Sequence, residues 1–445
     1  MNFILFFCYI FLSQFPSLIK IGSSYIGLQI FILPLLYLNI LKIRQFISYL
    51  IPILSLSTLI GLINYSQVNI SEVILRFVGL FTLISSILLP IDFYNKANTF
   101  KIFKHRYVKK ILLFSLPNLI FCFFEVVWRL TRNSSLRSIL IQMKDLIFVR
   151  GRGTQVVGTI TGLFPEHGLF APFLLFILGI SFLFVNKIKM KYSFLISFSW
   201  ISIALLHSSG LFLASLFLTF LIYLIIFFIS LIQKLTFSKN SLKYFILFIS
   251  IIFGLIFIGQ YTHPFLFKRF SDILGIFNLN LIAEFDKSLG YKLLPYFVFF
   301  KSSFTDLMFG SGLGYYSQYV IERLDYLPSF LLNNDYFLGN LNDQRFSLNS
   351  TIICSVIEYG LILWLLIFFI LQRFIKLFNP IKLFLNYRNI LNGGFKLNEV
   401  LSIIFLMASF LSIFGAVPLT YPFPYLSLSL IFILFDAKEK GFDIS

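Results

Sequence analysis

The chain returns again and again to unbroken apolar runs, near 3–19, 24–41, 46–64, 71–91, 111–128, 168–186, 193–209, 211–232, 244–260, 350–371, 399–414 and 424–435. A helix needs about 20 mainly apolar residues to cross a bilayer, whereas barrel strands alternate apolar and polar at every second position. The runs here are continuous, so they predict an all-α, polytopic transmembrane protein of about twelve spans. With 58% apolar and only 12% charged residues, such a chain lacks the polar surface of a soluble globule. The whole of 1–445 reads as a single integral membrane domain. Its first run has no basic leading stretch and no small-residue cleavage site, so it reads as an anchor and not as a removed signal. Cys8, Cys122 and Cys354 lie in or beside apolar runs, without metal-type or disulfide-type spacing, and read as packing residues.

A cytoplasmic N-terminus makes 42–45, 94–110, 187–192, 233–243, 372–398 and the tail 436–445 cytoplasmic. Those stretches carry 21 of the 36 Lys and Arg, which is the bias that orients inserted helices. The net charge of +18 is then an insertion signal that also meets anionic lipid, and it calls for no nucleic acid. Two long outer segments remain, 129–167 and 261–349, with most of the other cations and more than half of the eighteen acids. In the first, Leu136, Ile139, Leu140, Met143, Leu146 and Ile147 repeat at helical spacing opposite Arg137, Lys144 and Asp145. That pattern predicts a helix lying flat on the membrane. The second segment is broken by glycines and prolines, and predicts a small cap of short helices.

Chemistry-bearing residues gather around these segments. Arg150 and Arg152 are spaced by Gly151 and Gly153, and a guanidinium fork matches the geometry of a diphosphate. The same arginines would also serve as headgroup anchors. Glu166 and His167 stand at the entry to the run at 168–186, where Glu166 suits either a helix cap or, with His167, a proton acceptor. Glu72 and Arg76 share one face of the fourth span, and charge inside a membrane calls for a partner or a cavity. Glu358 lies within the tenth span, which Asn349 opens, and Arg76 is the partner expected for it. His207 begins the tight turn "HSSG". Lys268, Arg269, Arg323 and Arg345 are further cation candidates of the large outer segment. There "FGSGLGYY", 309–316, lacks the strand and the Gly-Lys-Ser/Thr of a nucleotide loop, and predicts a chain-reversing or sugar-binding turn.

In order and spacing the chain resembles the O-antigen polymerase and ligase superfamily of bacterial polysaccharide assembly. The resemblance rests on "RGRGTQVVGTITGLFPEHG", "HSSG", "LMFGSGLGYY" and "NSTIICSVIEYG", and covers almost the whole chain. It departs from the family at His207-Ser208-Ser209, where an Arg is usual, and at Leu348, where ligases carry a His before the Asn. The second departure favours polymerase over ligase. The resemblance implies a GT-C-like helical fold in the bacterial cytoplasmic (inner) membrane, with N- and C-termini cytoplasmic. It implies transfer of a growing glycan from undecaprenyl diphosphate to a hydroxyl of a lipid-linked oligosaccharide repeat unit at the outer leaflet. Arg150, Arg152 and Arg269 would stabilise the leaving diphosphate, and Glu166 or His167 would take the hydroxyl proton. Arg76, His207, Lys268, Arg323, Arg345, Asn349 and Glu358 would bind substrate. A flippase and a chain-length regulator are the partners implied, with no cofactor and no metal. The alternatives are an O-antigen ligase or a non-enzymatic flippase or transporter. A dolichol-type transferase is disfavoured because "KIGSS", 20–24, lacks paired acids, and a membrane scaffold is the plainest reading.

Overall fold

The computed structural model describes residues 2–15, 19–21, 24–65, 70–97, 99–147, 160–164, 167–184, 191–207, 209–232, 250, 287–332, 335–342, 351–374, 395–415 and 419–442. Among them the chain is helical apart from one small antiparallel hairpin, β1 (Ile19–Ile21) and β2 (Ser24–Ile26), in which Ile19 faces Ile26. Among the described residues five helices are long and apolar enough to cross a membrane: α3 (Leu41–Asn64), α4 (Ile70–Ala97), α5 (Phe100–Thr131), Ile352–Arg373 and Leu397–Phe414. A sixth crossing results if the bent pair Tyr192–Leu206 and Leu211–Ile225 counts as one.

The first two expected spans are shorter than their apolar runs. Helix α1 (Asn2–Leu12) ends where the Ser13 hydroxyl turns back onto the Tyr9 carbonyl. The run at 24–41 begins in the hairpin, passes through a short 3-10 turn, and reaches helix only at α2 (Leu33–Asn39). At 1.5 Å per residue neither helix approaches the roughly 30 Å of a hydrocarbon core. Hydropathy alone reads through such breaks. The expected span 244–260 lies outside the described residues.

Helix α7 (His167–Phe182) forms the centre of the bundle. Its sequence is apolar on every side, and a helix of that kind has to be enclosed by others. From Phe170 to Ile180, apart from Pro172 and Gly179, each side chain is at most 1% exposed. Around it stand α8 (Lys191–Leu206), α9 (Gly210–Ile232), α16 (Leu397–Leu411) and α17 (Phe423–Glu439). Phe173 meets Trp200 and Phe423 edge to face, and the Ser409 hydroxyl donates to the Pro172 carbonyl at 2.8 Å. Toward the periphery burial falls: 83% of the apolar window of α4 is buried, but only 33% of that of α3. The outward face of α3, with Tyr49, Leu56, Leu59 and Ile63 exposed, is a lipid-facing surface.

Ion pairs mark one end of the bundle. Asp92 near the end of α4 holds Lys42 of α3 at 3.4 Å and its own Lys96. At the same end Lys438 of α17 reaches Glu399 at 3.2 Å, and Tyr94 donates to Asp436 at 2.9 Å. The chain therefore arrives at the opposite end at Tyr65, at Glu72 and again at the end of α5.

At that opposite end the described part of 261–349 folds into short helices: α10 (Lys287–Lys301), α11 (Phe304–Phe309), α12 (Tyr316–Ile321), α13 (Ser329–Leu332) and α14 (Asp335–Asn342). They bury Leu294, Val298, Tyr319, Leu331 and Phe337 against Cys354 and Ile357 of α15 (Thr351–Phe374). Cys122 is buried as well, and Cys8 is half-buried, all three as free thiols.

Helix α6 (Ser134–Ile147) corrects one expectation. Lys144 does not line a solvated face; it is 1% exposed, while Ile139 and Met143 point outward. Its carboxylate partner, described below, draws it inward.

The enclosure of α7 makes a prediction. A Cβ on Gly179 would stand 2.6 Å from Leu406 Cγ, so Gly179→Val should destabilise the bundle by about 1–3 kcal/mol. A thermal unfolding midpoint equal to that of wild type, in the same detergent, would contradict this packing.

Candidate functional site

Two polar clusters occupy the end of the bundle that carries the cap. The first joins α4 to α15. Arg76 Nε donates to Glu358 Oε2 at 2.6 Å, and its Nη2 lies 3.2 Å from Glu72 Oε2, one turn earlier on α4. All three residues are buried. Charge at this depth is tolerated only when paired, and the guanidinium fork serves two carboxylates at once. The partner expected for Glu358 is thus the one it has.

Beside this cluster runs the glycine stretch. Residues 310–316 are buried throughout, although they belong to no regular element until α12 begins at Tyr316. Irregular backbone at membrane depth persists only where the protein itself supplies hydrogen bonds. Here Ser311 N donates to Ile357 O at 2.8 Å, Gly312 N to Glu358 O at 3.0 Å, and Leu313 N to Ser57 O at 3.3 Å. Acceptors from α15 are free because the helix breaks at Gly360, whose φ of 73° and ψ of 159° are not helical. Gly312 has a φ of 104°, and a Cβ there would overlap the backbone of Gly61. A Cβ on Gly360 would likewise collide with the backbone of Met308 to Gly310. The tyrosine that follows, Tyr315, covers Gly61 and stacks on Tyr65 at 5.2 Å. "FGSGLGYY" therefore reverses the chain by descending among α3, α4 and α15.

Just outside, Arg323 lies 3.6 Å over the Tyr319 ring and 2.7 Å from Asp306 Oδ2. Tyr319 donates to the same oxygen at 3.0 Å, and burial pushes its phenol up to about 12, so it remains a donor at neutral pH. Burial works against the charge of Asp306. Hydrogen bonds from Ser303 and Tyr319 and the nearby Arg323 outweigh it, and the carboxyl ends below its ordinary range.

The second cluster gathers α5, α6, and residues 160–164. Lys144 Nζ contacts Glu125 Oε1 at 2.5 Å and Thr161 Oγ1 at 2.7 Å. Glu125 Oε2 accepts from the amides of Thr161 and Gly162 at 2.9 and 2.8 Å, and Asn118 Oδ1 accepts from Leu163 N at 3.1 Å. His207 Nδ1 lies 3.0 Å from the Ile160 carbonyl, with its ring edge-on to Phe170 and Phe212. Among the described residues no group of three or more His, Cys, Asp or Glu has the arrangement of a metal site.

Of the candidates read from sequence, the structure brings Arg76 and Glu358 into contact and sets Arg323 in the cap. His207 comes to the second cluster. His167 opens α7, its side chain outside the described residues; Arg150, Arg152, Glu166, Lys268, Arg269, Arg345 and Asn349 lie outside them altogether. Sequence reasoning does not reach Glu125, Lys144, Thr161 and Asn118 as site residues. Glu125 carried a signal for it, as the one acid in the apolar run 111–128.

No protein-family model, no curated protein and no solved structure matches the chain.

Two predictions follow from this geometry. Gly312→Ala adds a left-handed backbone strain of about 1–2 kcal/mol to a backbone collision, so it should lower the unfolding midpoint by several degrees; no change would mean that the loop does not meet α3. Asp306 has a lowered folded value, so its stabilisation is present above the ordinary Asp value of about 3.9 and is lost as pH falls through the lower folded one. The midpoint difference between wild type and Asp306→Asn should therefore shrink on acidification below about pH 4, and a difference independent of pH would rule the ion pair out.

Proposed function

We propose that this chain is a polymerase of the O-antigen type, joining polyprenyl-diphosphate-linked oligosaccharide repeat units at the outer leaflet of a bacterial cytoplasmic membrane. One observation supports it most. The motifs behind the resemblance lie far apart in sequence, yet His207 of "HSSG", "FGSGLGYY" and "SVIEYG" come to one end of the bundle. The basic loops in the sequence make the other end cytoplasmic. About twelve spans, a GT-C-like arrangement and cytoplasmic termini belong to the same proposal.

In sequence Arg150 and Arg152 lie between α6 and Ile160. Lys144 and Thr161, close to either side of that stretch, are in contact, so its two ends are held together at the second cluster. In the reaction the acceptor hydroxyl oxygen bonds to the anomeric carbon of the donor glycan. The bond from that carbon to the carrier diphosphate breaks, and its electron pair leaves with the diphosphate. Arg150 and Arg152, with Arg269, stabilise the departing charge, and Glu166 or His167 takes the hydroxyl proton. The partial positive charge at the start of α7 adds to the same field.

Rigid, bidentate donors differ from flexible point charges in a measurable way. Arg150→Ala and Arg152→Ala should each lose about 2–4 kcal/mol of transition-state stabilisation, roughly 30- to 1,000-fold in rate, and the Lys variants should recover little of it. The assay is polymer formation by purified protein from lipid-linked repeat units at matched membrane abundance. Full activity in both Lys variants would leave the arginines as headgroup anchors.

A further inference from the structure

Three phenyl rings of the cap are largely uncovered. Phe300, near the end of α10, is 78% exposed, and Phe304 and Phe309, at the two ends of α11, are 76% and 57% exposed. On α11 Phe304, Met308 and Phe309 share one side, while Asp306 turns away from them to Tyr319 and Arg323. In water each ring would forgo the free energy of apolar burial. Exposed apolar surface gathered in this way marks a contact with something else.

The depth of the rings says what that contact is. Helix α11 packs on α15 where α15 breaks, with the backbone of Met308 to Gly310 against Gly360. Gly360 lies inside the candidate span Ile352–Arg373. From the break onward Leu361, Leu365, Leu366 and Phe369 of α15 are exposed, a row that faces hydrocarbon as the outward side of α3 does. Phe309 meets that row at its cap-side end. Across the turn, the Tyr296 hydroxyl of α10 donates to the Phe414 carbonyl at 2.5 Å, at the end of the span Leu397–Phe414 remote from Glu399. The stretch from Tyr296 to Phe309 is therefore tied on both sides to membrane-crossing helices. Lys301, exposed beside Phe300, adds an amine on a long apolar stem, which suits the boundary between acyl chains and headgroups.

We propose that the α10–α11 turn enters the leaflet on the cap's side of the membrane, with Phe300, Phe304 and Phe309 among acyl chains and Lys301 at headgroup phosphates. Part of 261–349 is then itself a lipid contact, whatever the chain transfers. The glycine loop follows directly after Phe309, so the grip of lipid on α11 also sets the depth at which that loop enters the bundle.

The test places full-length protein in phosphatidylcholine discs, with or without bromine on one acyl chain. Phe304→Trp and Phe309→Trp each add emission to that of the native Trp128, Trp200 and Trp364. Leu365→Trp, on the lipid-facing row of α15, is the reference. Bromolipid should remove the added emission at both positions to the extent seen for the reference, and aqueous iodide should leave it unchanged. Emission that iodide quenches and bromolipid spares would put the rings in water; emission that neither quencher reaches would mean that protein covers them. Either result overturns the lipid contact. Should Phe309→Trp fail to fold, Phe300→Trp takes its place.

Discussion

A guanidinium shared by two carboxylates inside helices of membrane-crossing length is the interaction from which the rest of the structure is best understood. Arg76, Glu72 and Glu358 would each be prohibitively placed alone, and together they fix the rotation and depth of α4 against α15. That register leaves the carbonyls of Ile357 and Glu358 facing the cap, where the break at Gly360 frees them to accept from the loop. The irregular chain at 310–316 can then enter the bundle without stranding its amides. One ion cluster thus permits one re-entrant loop.

The same logic governs the other cluster. Glu125 sits in an apolar run and cannot stay there unpaired, so it draws in Lys144 from α6 and the amides of Thr161 and Gly162 from the approach to α7. Gly162 adopts a φ of 57°, and a Cβ there would overlap Asn118, so the approach is moulded on α5. Buried acids in α5 and α15 therefore organise the two places where connecting chain meets the end of the bundle. If this end carries out glycan transfer, its polar groups serve first to hold loops and then to meet substrate.

Much of this is legible in the sequence, and the illegible part has physical causes. Apolar runs identify the helices, because hydrocarbon permits little else, and the pairing of Glu358 with Arg76 follows from the cost of isolated charge. Periodicity misreads Lys144, since it compares a residue only with its own helix, and the carboxylate that claims it stands nineteen residues away. The glycines at 310–314 announce a reversal. Nothing in them names Gly61, Ser57 or Val73, whose proximity comes from how α3 and α4 pack. Likewise the runs at 3–19 and 24–41 average over the turn at Ser13 and the hairpin before α2.

The dependence on Arg76 and Glu358 can be measured directly with a double-mutant cycle, following unfolding of the purified protein in denaturant. Arg76→Met and Glu358→Leu should each destabilise by about 3–5 kcal/mol, because each strands a buried charge. The double variant should be far more stable than the sum of the two losses would allow. Additive effects, or single variants as stable as wild type, would contradict the claim that this pair organises the end of the bundle.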